Sequence, residues 1–169
     1  MASGDTLFVF TPIDNVPPAS AFATLDTFAA ATGFRLVLDF DGSAANETAI
    51  FSGVWPSNYT GGGIDVIIHY SLDGTDAQDI QFEVSIEVVQ DDDDQDAGGQ
   101  DFGAATDITD TPATNTANYS NITSAGAISH ANCGSPAIGD RIRLKVTRDY
   151  DHAANTDDVQ LHAVHVKET

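Results

Sequence analysis

Asp79-Ile80-Gln81-Phe82-Glu83-Val84-Ser85-Ile86-Glu87-Val88-Val89-Gln90 is the stretch on which the fold turns. Ile80, Phe82, Val84, Ile86 and Val88 alternate with Gln81, Glu83, Ser85, Glu87 and Val89, a period of two that an extended strand sorts into a core face and a wet face. Ile64 to Leu72 repeats the pattern, with Ile64, Val66, Ile68, Tyr70 and Leu72 on one side and Asp65, Ile67, His69 and Ser71 on the other. Asp73-Gly74 between the two runs is a turn signal, so they are expected to pair antiparallel as a hairpin. Arg141 to Arg148 alternates again, and Val159 to Lys167 reads as a last strand beside it.

Weaker strand signals lie at Thr6 to Phe10, Phe34 to Phe40, Thr48 to Trp55 and Asn121 to Ser129. No segment carries a sustained helical period, although the Ala-rich run Ala19 to Ala31 reads as a turn or two of helix before Gly33. About eight strands separated by Gly, Asp and Pro point to an all-β chain, a β-sandwich of jelly-roll type. The expected organisation is an N-terminal strand and Pro-rich arm over residues 1–32 and a sandwich over 33–169 with a long acidic loop at 91–116. In the arm, Thr11-Pro12-Ile13-Asp14-Asn15-Val16-Pro17-Pro18 has three residues without a ladder N–H and cannot be a central strand. It reads as an extended arm without a core of its own.

The 169 residues fit one domain, and 41% hydrophobic content is enough to fold. Six Lys and Arg stand against 26 Asp and Glu, a net charge of −20, which excludes a nucleic-acid groove as the main function because phosphate binding needs clustered cations. Of the acids 22 are Asp, which favour turns, so many of them mark loops. No apolar stretch approaches the roughly 20 residues of a membrane span, and Met1 to Thr6 lacks the basic and apolar regions of a signal peptide, so neither insertion nor export is expected. The single Cys133 excludes an internal disulfide and has no basic neighbour to activate it.

Candidate chemistry is sparse. Asp91-Asp92-Asp93-Asp94-Gln95-Asp96 offers the hard oxygens calcium prefers, but an EF-hand opening at Asp92 would need Gly where Ala97 stands and Glu where Gly103 stands. Asp39 and Asp41 share a strand face before Gly42, which a strand-end turn explains. His162 and His165, three apart on a strand, are expected to face opposite sides and so not to share a metal. No nucleophile elbow surrounds any Ser, so no catalytic residue, metal or cofactor is assigned and the chain is read as a non-enzyme. Arg141, Arg143 and Lys145 project to one face as a positive stripe, which either offsets local aspartates or meets an acidic patch of another subunit. Four Asn-X-Ser/Thr matches carry no weight without export, and Gly61-Gly62-Gly63 suits a crowded turn.

Several blocks resemble a family of small virion structural proteins of tailed phages of marine and environmental type. They are Phe10 to Ser20, Ala23-Thr24-Leu25-Asp26, Val37-Leu38-Asp39-Phe40-Asp41, the run from Ala49 through Trp55-Pro56-Ser57-Asn58-Tyr59-Thr60-Gly61-Gly62-Gly63 to Ile64, Arg141 to Asp149, and Lys167-Glu168-Thr169. Asp73 to Ile138 does not match. The resemblance implies a jelly-roll decoration or cement protein on the capsid surface, a homo-oligomer, by analogy a trimer, that binds the major capsid protein and has no active site. Under it Pro12, Ile13, Pro17, Pro18, Arg141, Arg143 and Lys145 are the candidate assembly interface, with the arm lying across a neighbouring subunit. Two alternatives stand beside it: a tail or surface glycan- or receptor-binding module using Trp55 and Tyr59 as a stacking platform, and a calcium-dependent binding domain.

Overall fold

Alternating apolar residues form strands throughout the computed structural model, which describes residues 4–30, 33–42, 45–95, 101–114, 116–152 and 155–169. The strands are β1 (Thr6–Phe10), β2 (Thr24–Ala30), β3 (Gly33–Phe40), β4 (Glu47–Val54), β5 (Ile64–Leu72), β6 (Ile80–Val89), β7 (Thr106–Asp110), β8 (Asn121–Ile122), β9 (Gly126–Ile128), β10 (Arg141–Arg148) and β11 (Val159–Glu168). They make two antiparallel sheets. The larger runs β2-β3-β11-β5, with β1 continuing the line of β3 along β11 and with β8 and β9 sharing the far edge of β5. The smaller runs β4-β10-β6-β7. Inward residues of both sheets, among them Phe40, Phe51, Tyr70, Phe82, Leu144 and Val164, fill one hydrophobic cluster that also takes in Leu7 and Phe10 of β1. The expected all-β sandwich of jelly-roll type is what forms. No helix among the described residues is long and apolar enough to cross a membrane.

The pairing corrects several expectations. β5 and β6 lie in opposite sheets, so Asp73-Gly74 carries the chain across the sandwich and closes no hairpin. A Cβ at Gly74 would fall on the Asp157 carboxylate, which would have to move. β10 and β11 are likewise split: β10 sits between β4 and β6, and β11 between β3 and β5. Ala19 to Ala31 is not helical, because β2 forms the edge of the larger sheet in register Thr24↔Asp39 through Ala30↔Gly33, tertiary pairing overriding alanine's propensity; Ala31 lies outside the described residues. Asn121 to Ser129 is split at Thr123, whose hydroxyl accepts from Ile68 N (3.0 Å) in place of a backbone partner. Within the 91–116 excursion β7 pairs with β6 and buries Ile108, whereas residues 96–100 and 115 lie outside the described ones. The outward side of β6 is not wet either, since Gln81, between β10 and β7, and Ser85 and Glu87, beside Lys145 and Arg143 of β10, are buried.

The arm finds its partner within the chain. A 3-10 turn at Pro12–Asp14 is closed by Asp14, whose Oδ2 accepts from Thr11 N and Oγ1, both at 2.7 Å. Val16 N then donates to Ile50 O (2.7 Å), Asn15 Oδ1 accepts from Ile50 N (2.9 Å), and Ala23 N donates to Thr48 O (3.1 Å). The arm thus covers the free edge of β4, one of the ways a sheet edge is protected. Pro12 is buried, Pro18 half-buried, and Ile13 and Pro17 exposed.

Candidate functional site

The outer face of the larger sheet is irregular at one point. Opposite β5 the register runs Leu161↔Tyr70 and then Ala163↔His69, leaving His162 as the extra residue of a β-bulge. Leu161 and Val164 both point into the core, so the bulge puts His162 and His165 on the same outer face. This corrects the expectation that they face opposite sides. Even so, among the described residues no group of three or more His, Cys, Asp or Glu is arranged to hold a metal ion.

Hydrogen bonding fixes the His162 ring. The Ser71 hydroxyl donates to Gln160 Oε1 at 3.0 Å, so its one proton is committed and it accepts from His162 Nε2–H at 2.9 Å. Burial, then the nearby Arg35 guanidinium and His69, hold His162 below its ordinary value of 6.5. The ring is therefore neutral at pH 7, and its Nδ1 is left as an acceptor. Phe28 meets it edge-on, 6.0 Å between centroids at 75°. Phe28 and Arg35 are directly opposite in the β2–β3 ladder and share this face, together with Val37, which is buried although it lies outside the core cluster. The wall opposite comes from the segment before β8, pinned where Asn118 N donates to Leu72 O (2.7 Å), with Asn118 in the left-handed region (φ 67°).

These elements enclose an open cleft of about 240 Å³ lined by Phe28, Arg35, Asn118, Ser120 and His162. An aromatic ring, a guanidinium, an amide, a hydroxyl and a fixed neutral imidazole make a binding surface with both apolar and directional polar groups. Two larger hollows, of about 400 and 450 Å³, open near Asp101 and Gln95 beside the smaller sheet. Their lining has no aromatic ring and, apart from Arg141, offers aliphatic side chains, small residues, amides and Asp carboxylates, so the smaller cleft, which adds an aromatic ring and an imidazole to its guanidinium, is the better-built site.

The residues singled out in the sequence as an assembly interface, a stacking platform or a calcium loop lie elsewhere. The arm and the basic stripe are near one another, because β4, which the arm covers, pairs with β10 in register Lys145↔Ile50 and Arg143↔Ser52. Arg141 Nη1 donates to Gln95 Oε1 (2.8 Å), Arg143 is ion-paired with Glu87, and Arg143 and Lys145 lie 5.0 and 4.8 Å from the centroid of Phe102. Trp55 and Tyr59 cannot be a stacking platform: they are 1% and 4% exposed, packed 4.5 Å apart at one end of the core. The 60–63 turn closes over that end, and Glu168 Oε1 accepts from Thr60 N, Thr60 Oγ1 and Gly62 N at 2.9, 2.6 and 3.0 Å. Burial pushes the Cys133 thiol up to about 12, which leaves it unreactive. In the Asp run, Asp93 Oδ2 caps Gln90 N (2.7 Å) as a turn, and Asp96 lies outside the described residues.

Phe28, Arg35, Asn118 and Ser120 were missed by sequence reasoning, and His162 was dismissed. The available signal was Gln160-Leu161-His162-Ala163-Val164-His165, where two polar residues flank two apolar ones and strict alternation fails.

No family model and no curated protein sequence matches this chain. Solved structures do. It superposes on a Podospora anserina GH26-CBM35 β-(1,4)-mannanase with TM-score 0.54 and 9% identity, covering 98% of this chain and 28% of that one. It superposes on the CBM22-1-GH10 modules of Clostridium thermocellum endo-1,4-β-D-xylanase 10B, complexed with xylohexaose, with TM-score 0.52 and 14% identity, covering 99% of this chain and 28% of that one. The chain thus spans little more than a quarter of either protein's length, and at such identities the likeness establishes the two-sheet sandwich fold.

Proposed function

We propose that this chain is a non-catalytic saccharide-binding module whose ligand lies on the outer face of the larger sheet, against Phe28. The observation that carries the reading is the cleft itself: a half-buried aromatic ring held against a tautomer-fixed histidine, with a guanidinium, an amide and a hydroxyl around it. A sugar ring presents a C–H face that an aromatic ring covers and hydroxyls that pair with such groups. The described lining holds no carboxylate, whereas glycoside hydrolysis uses a pair, so the cleft supports binding rather than cleavage. The mannanase and the xylanase carry carbohydrate-binding modules in their names, which fits this reading at the level of fold. Affinity gel electrophoresis against soluble plant, algal and bacterial polysaccharides tests it. At least one polymer retards the wild type, and Phe28→Ala releases it without a change in melting temperature; retardation by none, or unchanged retardation of the variant, overturns the reading.

A second reading, a capsid decoration or cement protein on the virion surface that binds the major capsid protein as a homotrimer, is favoured by uncovered apolar side chains. Phe34 and Leu36 continue the core face of Leu38 and Phe40 beyond the partner sheet, and Leu25 shares that face; Phe34 is 79% and Ile13 on the arm 68% exposed. Light scattering tests it: a trimer that Phe34→Ser dissociates supports it, and a monomer that leaves capsids unbound refutes it. The two readings are compatible, since a decoration protein can carry a saccharide site.

A further inference from the structure

The six Lys and Arg of this chain are not distributed evenly. Arg148 is buried, Arg143 is paired with Glu87, Arg141 is bonded to Gln95, and Lys145 lies over Phe102. The remaining two, Arg35 and Lys167, are on the outer face of the larger sheet, and among the described residues neither has a carboxylate within ion-pair distance. Three of the five histidines, His69, His162 and His165, share that face. The groups sense one another in sequence: Arg35 and His69 act on His162, and His69 and Lys167 act on His165. A band of basic groups therefore runs across β3, β11 and β5 on a protein with 26 acidic residues. The carboxylates of the same face are Asp65 opposite Lys167, Asp26 opposite Val37 and two positions from Phe28, and Asp39 beyond Val37.

An unpaired guanidinium beside an aromatic ring is a poor match for a neutral ligand and a good one for an anion, because a carboxylate or a sulfate offers two oxygens to its parallel N–H bonds. We infer that the ligand of the Phe28 cleft is an anionic saccharide, whose uronate carboxylate or sulfate ester pairs with Arg35 while the sugar ring covers Phe28. The inference rests on the saccharide-binding reading and narrows it to a charge class. The net charge of −20 does not forbid it, since at about 0.15 M salt the Debye length is about 8 Å and the acids of the opposite sheet are screened.

The test is isothermal titration of the full chain at about 0.15 M salt with polygalacturonate, the same polymer after carboxyl reduction, a sulfated neutral glucan, and unmodified mannan and xylan. Arg35→Gln is compared with Lys145→Gln, which makes the same change in net charge on the opposite sheet. Arg35 is exposed and makes no hydrogen bond to the described residues, so its replacement leaves the fold intact. The expected result is that polygalacturonate or the sulfated glucan binds at least about tenfold more tightly than the neutral polymers, that Arg35→Gln removes about tenfold, and that Lys145→Gln changes affinity less than about twofold. The arm that binds identifies carboxylate or sulfate as the charged group. Neutral polymers that bind as tightly as both polygalacturonate and the sulfated glucan, or equal losses in the two variants, overturn the charge inference while saccharide binding stands. Binding of no polymer at all overturns both.

Discussion

Asp39→Asn is expected to stabilise the protein at neutral and alkaline pH. Asp39 sits on β3 between Thr24 of β2 and Gln160 of β11, and its Oδ1 is buried without a hydrogen-bond partner. Burial, and then Asp158, Asp73, Asp26 and Glu47, push its carboxyl up from 3.8 to about 6. Because the folded-state value is the raised one, the folded chain holds this proton more tightly than the unfolded chain, and ionised Asp39 lowers stability. That penalty is absent below about pH 4, grows through the interval up to pH 6, and is constant above it. The rise corresponds to about 3 kcal/mol at 1.36 kcal/mol per tenfold in proton affinity, and partial solvent screening reduces it to about 1 kcal/mol. Asn keeps the shape and removes the charge, so the urea midpoint at pH 8 should rise by the equivalent of about 1 kcal/mol with an unchanged slope. Near pH 4 the gain should vanish, and molar salt should shrink it because the Debye length falls to about 3 Å. A midpoint at pH 8 that is unchanged or lower, or an equal gain at both pH values, would mean that ionised Asp39 does not destabilise the fold.

Arg148 is the opposite case: 1% exposed, it donates from Nη2 to Asn155 O (2.9 Å) and faces the charges of Asp158, Asp41, Asp157 and Glu47. Arg148→Met removes the buried cation and leaves those acids uncompensated, so a loss of about 3–5 kcal/mol in urea denaturation is expected, and a loss under about 1 kcal/mol would contradict that role. His162 has a depressed folded value, so its contribution to stability is complete above about pH 6.5 and is lost as the pH falls below it. Its imidazole proton resonances should therefore titrate below 6.5, and Arg35→Gln should move the midpoint upward; a downward or absent movement would separate the two groups.

The parts of the fold legible in the sequence are those decided by one strand at a time. The alternation in Ile80 to Val89 and Ile64 to Leu72 marks both strands almost to the residue, because a strand's faces are set by its own period. Which strands pair is a long-range choice, and Asp73-Gly74 carries no information on whether the chain turns back or crosses over; its glycine lies against Asp157, 83 positions on. β7 is hidden because one buried apolar residue, Ile108, sustains it, and β2 because alanines that favour helix in isolation yield to pairing with β3. The prolines at 12, 17 and 18 were legible as an edge element, while its partner, the backbone of Thr48 and Ile50, was not. The cleft was the least legible feature, since it depends on a one-residue bulge that changes the face of His162 and on a segment near residue 118 that folding brings up to Phe28 and Arg35.

The location of the ligand can be read from backbone amide chemical-shift mapping with an acidic oligosaccharide on the isotopically labelled full chain. Saturable shifts are expected to concentrate at Phe28, Arg35, Asn118, Ser120 and His162, with residues 141–145 of β10 unmoved. Shifts concentrated at Arg141, Arg143 and Lys145, or none at millimolar ligand, would contradict that location.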